Sequence, residues 1–421
     1  MDFRKIEAND VRLENVTVPG WLLNCQEDLV QTNISILDGK IAVEGGKPVN
    51  MNRALLIPAF VDMHTHLDKG HIWGRAPNPD GRFESALEVV TVDRQRNWSA
   101  LDLQARMTFA LRCAYAYGTQ SIRTHLDSIP PQDQISWPLF SELRQEWAGK
   151  IDLQGVCLIG VDAIDFDGSF SQTADLVARS GGVLGMVAYP IPDFRDRLRT
   201  FLAMAQERQL AVDFHADETL DSEAECLRII AETASEMRFE NSIVVGHCCS
   251  LSMQESTRAL NTLDKVARAG IHIVSLPMCN LYLQDRQAGV TPRSRGITLV
   301  HEMKNRGISV SFASDNTRDP FFAYGDLDML EVMREAIRLG HLDHSDRDWS
   351  RAFLTNPAAA CGFEEPSLEV GSAADLLLFN ARNWNELFSR PQSDRIVLRA
   401  GRQIERVLPN YCELDEQMRT P

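Results

Sequence analysis

Eight compact apolar runs, separated by helical stretches, restrict the middle of this chain to a parallel α/β architecture. They are Leu55 to Met63, Thr119 to Arg123, Ile151 to Val161, Gly182 to Ala188, Ala211 to Phe214, Ser242 to Val245, Ile271 to Leu276 and Ile308 to Ala313. The stretches between them, such as Ser99 to Tyr117, Thr219 to Arg238 and Met253 to Ala269, repeat apolar residues at three and four positions. That is the period of a helix with one buried face, as in Leu101, Leu103, Met107, Phe109, Ala110 and Leu111. Alternating strands and helices make a parallel sheet, and eight is the strand number that closes a (β/α)8 barrel. An open doubly wound sheet uses the same units but keeps histidines on different strands apart.

The two ends of the chain have another texture. Val11 to Val18, Thr32 to Leu37 and Lys40 to Val43 are short β-like pieces, with Asp38-Gly39 as a hairpin signal between the last two. From about residue 366 the pattern returns in Ala373 to Phe379 and Asp394 to Arg402. Termini of a domain often lie close together, so the ends are expected to pair as one small β domain.

Polar residues gather where the apolar runs stop. The first run leads into His64-Thr65-His66, and the second into His125 and Asp127. The fifth leads into His215 and Glu218, the sixth into His247, the eighth into Asp315. Histidines at i and i+2 on a strand share a face, and barrel enzymes build their sites at the carboxyl ends of the strands. Five of the ten histidines fall at these ends, a concentration that a scatter of core histidines does not produce. A single divalent ion wants neutral imidazoles and a carboxylate, with a position left open for water. His64, His66, His215 and Asp315 supply that set. An ion so held turns water into a nucleophile near neutral pH. Glu218 is placed to shuttle a proton, and His247 to orient or polarise a substrate or to assist the base.

Other signals exclude function classes. A net charge of −16 without a Lys/Arg cluster argues against nucleic acid as a partner. No run of about eighteen apolar residues exists, so no membrane span is expected. The charged N-terminus lacks an apolar signal core. Nine scattered cysteines without Cys-x-x-Cys suit reduced thiols, and the expected compartment is the cytoplasm. His301-Glu302 begins a zincin motif that Asn305 breaks, and there is neither a P-loop nor a Gly-x-Gly-x-x-Gly.

Ile57-Pro-Ala-Phe-Val-Asp-Met-His-Thr-His-Leu-Asp68, Arg123-Thr-His-Leu-Asp127, Phe214-His-Ala-Asp-Glu218, Gly246-His247, Asn280-Leu-Tyr-Leu-Gln-Asp-Arg286, Arg295-Gly-Ile297 and Ser314-Asp-Asn316 together carry a resemblance over nearly the whole chain. The sequence resembles the amidohydrolase superfamily, and within it the prokaryotic cytosine deaminase-like group. The resemblance implies a (β/α)8 TIM barrel over residues 55–365 and a small β-sandwich from residues 1–54 and 366–421. It implies one divalent metal ion, iron or zinc, on His64, His66, His215 and Asp315. In the matching roles Glu218 protonates the ring nitrogen beside the attacked carbon, His247 assists at the attacking water, and Asp315 takes its proton.

The expected activity is hydrolytic deamination of a small nitrogen heterocycle. Cytosine leads; isocytosine, isoguanine, creatinine, amino-triazines and pterins follow, with cyclic amide hydrolysis as the other chemistry. Relatives that open amide rings carry a bridging lysine on the fourth strand, which Gly182 to Tyr189 lacks. One departure concerns cytosine itself. The third-strand stretch Leu158 to Asp162 has no glutamine to read a pyrimidine's amide edge. Asp162 or Asp165 is a candidate replacement, with solvated loop positions as the other reading. Gln284 and Phe321 are candidate pocket walls, with a loop anchor and a buried aromatic as the other reading. Expected partners are a small heterocyclic substrate and a second copy of the chain, since homo-oligomers are frequent among relatives.

Overall fold

The computed structural model describes residues 5–6, 9–164, 168, 170–344, 346–391 and 394–419. Eight parallel strands form the centre: β1 (Phe60–Thr65), β2 (Thr119–Asp127), β3 (Asp152–Leu158), β4 (Leu184–Ala188), β5 (Val212–Ala216), β6 (Ile243–His247), β7 (His272–Ser275) and β8 (Val310–Phe312). β1 to β3 hydrogen-bond in sequence, as do β4 to β8. The two groups meet at both sides. Val156 and Gly160 of the third segment bridge Val183 and Val187 of the fourth, and Thr65 bridges Asp315. The (β/α)8 barrel is therefore closed.

Helices cover its outside. Ala100–Tyr117 starts on Ser99, whose side chain accepts from the Asp102 N–H, and stops at Gly118 with φ 94°. Glycine is needed there twice, because a Cβ would also stand 2.2 Å from Leu377 Cδ2. The stretch read as helical from Thr219 begins only at Cys226. The Asp217 carboxylate explains the difference. It accepts from the N–H groups of Cys226 and Leu227, both at 2.9 Å, and so caps a helix nine residues downstream. No helix among the described residues is long and apolar enough to cross a membrane.

The ends of the chain make one sheet of eight strands. Val11–Pro19, Leu29–Leu37, Lys40–Ala42, Lys47–Asn50 and Leu55–Pro58 come from one end, and Leu376–Phe379, Arg395–Arg399 and Arg402–Gln403 from the other. Asp38-Gly39 forms the expected hairpin turn, with φ of 48° and 77°. The seam is the antiparallel pairing of Leu55–Pro58 with Leu376–Phe379. The apolar run Leu55 to Met63 is thus two strands rather than one. Ala59 still donates to Asp375 in the terminal sheet, while Phe60 donates to Gly118 beside the barrel, so the chain changes sheets within one residue. Side chains alternate as strand geometry requires. Leu55, Ile57, Leu377 and Phe379 join the barrel's apolar core, and Leu56, Leu376 and Leu378 join the terminal sheet's own core.

Candidate metal centre and active site

β1 carries His64 at its penultimate position and delivers His66 just past its end, so both imidazoles leave one face. β5 contributes His215, and Asp315 lies three residues beyond β8. His215 Nε2 is 3.1 Å from His64 Nε2 and 3.2 Å from His66 Nε2. Asp315 Oδ1 is 3.3 Å from His66 Nε2 and 3.6 Å from His64 Nε2. Gly246, paired with His215 in register, leaves room for the His64 ring, since a Cβ there would approach its Cε1 to 3.1 Å.

The four side chains are buried. Burial, with neighbouring positive charge second, holds the three imidazoles well below their ordinary pKa, so they are neutral and offer lone pairs. Burial pushes Asp315 up from the usual carboxylate range. Neither of its oxygens has a nitrogen or oxygen hydrogen-bond donor among the described residues, and the one donor against it there is the Cys279 thiol. A buried carboxylate without a charged partner, set against two of three converging imidazole nitrogens, is costly by itself. One divalent cation satisfies all four groups, and the donor chemistry fits such an ion.

His125 lies against this cluster, 4.1 Å from His64 between ring centroids. Its nitrogens are already engaged, Nδ1 with the Thr65 carbonyl and Nε2 with Asp213, both at 3.3 Å. Asp213 also pairs with Arg123 at 2.9 Å, so a buried ion pair stands beside the imidazoles inside the barrel.

Glu218 and His247 flank the cluster, with Glu218 Oε1 3.3 Å from His247 Nδ1. Burial, then the charge of Asp315, pushes Glu218 well above the ordinary glutamate value and favours its protonated form. His247 and Asp315 both hold left-handed backbone, with φ of 70° and 62°, a conformation that non-glycine residues rarely adopt.

The expected substrate contacts fare differently. Gln284 is buried, and the only hydrogen-bonding group beside its side-chain amide among the described residues is the Cys249 thiol. Phe321 is buried against Phe83, with ring centroids 5.4 Å apart, behind a turn that Asp319 ties together. Asp162 is not brought to the cluster. The turn Val161–Ala163 leaves it exposed, where its carboxylate accepts from the Tyr189 hydroxyl and its carbonyl from Arg197. Asp165 lies outside the described residues.

Two features went unread in the sequence. Asn280, on the short helix Pro277–Leu283 after β7, touches both Glu218 and His247. The signal for it was its place at the head of the stretch Asn280 to Arg286, which carries the resemblance without giving that residue a role. The second is a buried charge cluster under His66, in which Lys69 and Arg94 both pair with Asp127 at 2.6 Å.

A closed (β/α)8 barrel with three imidazoles and a carboxylate converging at its carboxyl rim has the architecture of a metal-dependent hydrolase. A model of the amidohydrolase family matches residues 171–404. The pterin deaminase of Rhizobium rhizogenes strain K84 is 48% identical over 409 residues, covering 95% of this chain and 94% of that protein. The chain belongs to the amidohydrolase family, hydrolases of carbon–nitrogen bonds other than peptide bonds. N-isopropylammelide isopropyl amidohydrolase of Pseudomonas sp. strain ADP is 22% identical over 372 residues, or 84% of this chain and 86% of the relative. Among solved structures, 5-methylcytosine deaminase of Klebsiella pneumoniae with 5-fluorocytosine superposes with a TM-score of 0.80 at 23% identity. That match covers 94% of this chain and 97% of the other.

Proposed function

We propose that this chain is a hydrolytic deaminase of a pterin-type ring, exchanging the amino group of a 2-amino-4-oxopteridine for oxygen and releasing ammonia. The observation that carries the reading is the 48% identity to a pterin deaminase across nearly the full length of both chains. Pterins stood among the alternatives expected from the sequence. Cytosine stood first, but the likeness to 5-methylcytosine deaminase is at 23% identity and bears on fold alone. The fourth strand, Leu184–Ala188, contains no lysine, which supports deamination over amide-ring opening.

His64, His66, His215 and Asp315 are the proposed ligands of one divalent ion, iron or zinc. When bound, that ion supplies the Lewis acidity that makes water nucleophilic near neutral pH. The protein's own groups then move protons. Glu218, protonated by virtue of its burial, gives a proton to the ring nitrogen beside the attacked carbon. Asp315 takes the first proton released by water and passes it to the departing amine. The second, lost from oxygen as the carbonyl forms, returns to Glu218, so water and the amino compound become the oxo compound and ammonia. Gln284, a buried amide whose one hydrogen-bonding neighbour among the described residues is the Cys249 thiol, carries the donor and acceptor that suit the N–H and C=O edge of the ring. Seven buried free thiols support a reducing, cytoplasmic setting.

The test is ammonia release by metal-replete protein from pterin, cytosine, isocytosine, isoguanine, creatinine and an amino-triazine. Pterin is expected to exceed every other ring by at least about tenfold in kcat/KM. Faster turnover of another ring, or none of pterin by verified holoprotein, would overturn the assignment.

A further inference from the structure

Glu218 and His247 share a third partner. Asn280 Nδ2 stands 3.0 Å from Glu218 Oε1 and 3.1 Å from His247 Nδ1, and all three groups lie together at the barrel rim. The other end of the amide shows which atom faces them. Cys249 Sγ is 3.3 Å from Asn280 Oδ1, nearer than its other acceptor, the His247 carbonyl at 3.8 Å, and burial pushes that thiol up, keeping it an S–H donor. With its oxygen committed to the thiol, Asn280 turns two N–H bonds toward two acceptors. One is Glu218 Oε1. The other is His247 Nδ1, which therefore bears no proton.

A neutral imidazole has one N–H, and if Nδ1 accepts, that proton is on Nε2. His247 Nε2 is buried and makes no hydrogen bond among the described residues. The ring lies 5.1 Å from that of His215 and 5.5 Å from that of His64, beside the donor cluster. An Nε2–H in that place is a donor waiting for an acceptor.

We propose that Asn280 is a positioning residue that locks His247 in the Nε2–H tautomer, so that His247 donates a hydrogen bond to the oxygen joining the reacting carbon. A ring fixed in this way does not remove the proton from water. That task falls to the carboxylate of Asp315. The same amide also holds the Glu218 carboxyl, whose Oε1 accepts from Asn280. The tautomer is a property of these side chains alone, while its effect on turnover rests on the deaminase reading.

Zinc-loaded, full-length protein labelled with nitrogen-15 in its histidine rings reports the tautomer directly through long-range proton–nitrogen correlations. The His247 signals are assigned by their loss in His247→Gln. The wild type is expected to show a protonated Nε2 and a bare Nδ1. Asn280→Asp places carboxylate oxygens before Nδ1 and is expected to move the proton to Nδ1. It should also lower kcat about 100-fold, with KM changed by less than about threefold. A wild-type ring protonated on Nδ1 overturns the proposal without reference to any variant. An Asn280→Asp protein with unchanged tautomer and unchanged kcat overturns it as well. If Asn280→Asp fails to fold, Asn280→Ser carries the same comparison, with loss of the single tautomer as the expected result. Should no ring be deaminated, the functional reading fails while the spectrum still decides the tautomer.

Discussion

The backbone N–H of Asp315 donates to the carbonyl of His64 at 2.9 Å, where the last strand segment meets the first. Closure of the barrel and assembly of the donor cluster are therefore the same contact. This separates the two roles of Asp315, because the seam uses its backbone and the cluster its carboxylate. Asn tolerates the left-handed φ found there. Asp315→Asn is expected to fold with an unchanged circular dichroism spectrum, to bind its metal at least about tenfold more weakly, and to lose at least about 100-fold in turnover. Elemental analysis after dialysis, paired with ammonia assays, measures both. Full metal content with full turnover would remove Asp315 from the proposed site.

Glu218→Gln isolates the proton from the contact. The amide retains an oxygen that can accept from Asn280, as Glu218 Oε1 does at 3.0 Å. It has no acidic proton to give. Metal content is expected to stay at the wild-type level while kcat falls by about 100- to 10,000-fold. A kcat within tenfold of wild type would show that another group delivers the proton.

The barrel was legible because its signals are periodic: strands alternate by two, helices by 3.6, and His64 and His66 share a face by that rule alone. What escaped depends on which elements meet. In the apolar run from Leu55 to Met63 the one mark of the handover at Ala59 is Pro58, which has no N–H for a ladder and which a single-strand reading passes over. Asp162 follows a barrel strand, which suggested the pocket, yet a single turn directs it to Tyr189. Asn280 is 62 residues from Glu218 and 33 from His247, so no local pattern joins them. The substrate was the least legible, since ring selectivity rests on a few amide contacts that composition and spacing do not encode.

Asp127 stood out as a strand-end carboxylate, but its pairing with Lys69 and Arg94 was equally hidden. Burial raises the Asp127 carboxyl, but the charges of Lys69 and Arg94 outweigh it and hold the group below its usual value. The Asp127 N–H also donates to Asp68 at 2.7 Å, tying the pair to the loop after β1. Lys69→Met keeps the length of the side chain and removes its charge, leaving a buried carboxylate with one cation in place of two. Urea unfolding at pH 7.5 is expected to show a loss on the order of 3 kcal/mol, and Asp127→Leu in the same chain should recover part of it. A loss below about 0.5 kcal/mol would mean that Arg94 alone compensates Asp127.

His71 supplies a pH dependence apart from the donor cluster. Its ring is buried, packs edge-on to Phe109 with centroids 4.8 Å apart, and has neither nitrogen hydrogen-bonded among the described residues. Burial, then the charges of Arg318 and Arg106, lowers its pKa to about 3. The unfolded chain protonates this histidine near pH 6.5 and the folded chain does not until about 3, so between those values the unfolded state holds more protons. Its contribution is thus complete above pH 6.5 and is lost as the pH falls, by up to about 1.4 kcal/mol per unit. His71→Asn accepts the left-handed φ of 62° and does not titrate. Packing lost with the ring is the same at every pH, so the comparison lies in the slopes. Unfolding free energy measured from pH 7.5 to 5 is expected to decline less steeply in His71→Asn than in the wild type. Parallel slopes would place the acid sensitivity elsewhere, in the imidazoles of the donor cluster.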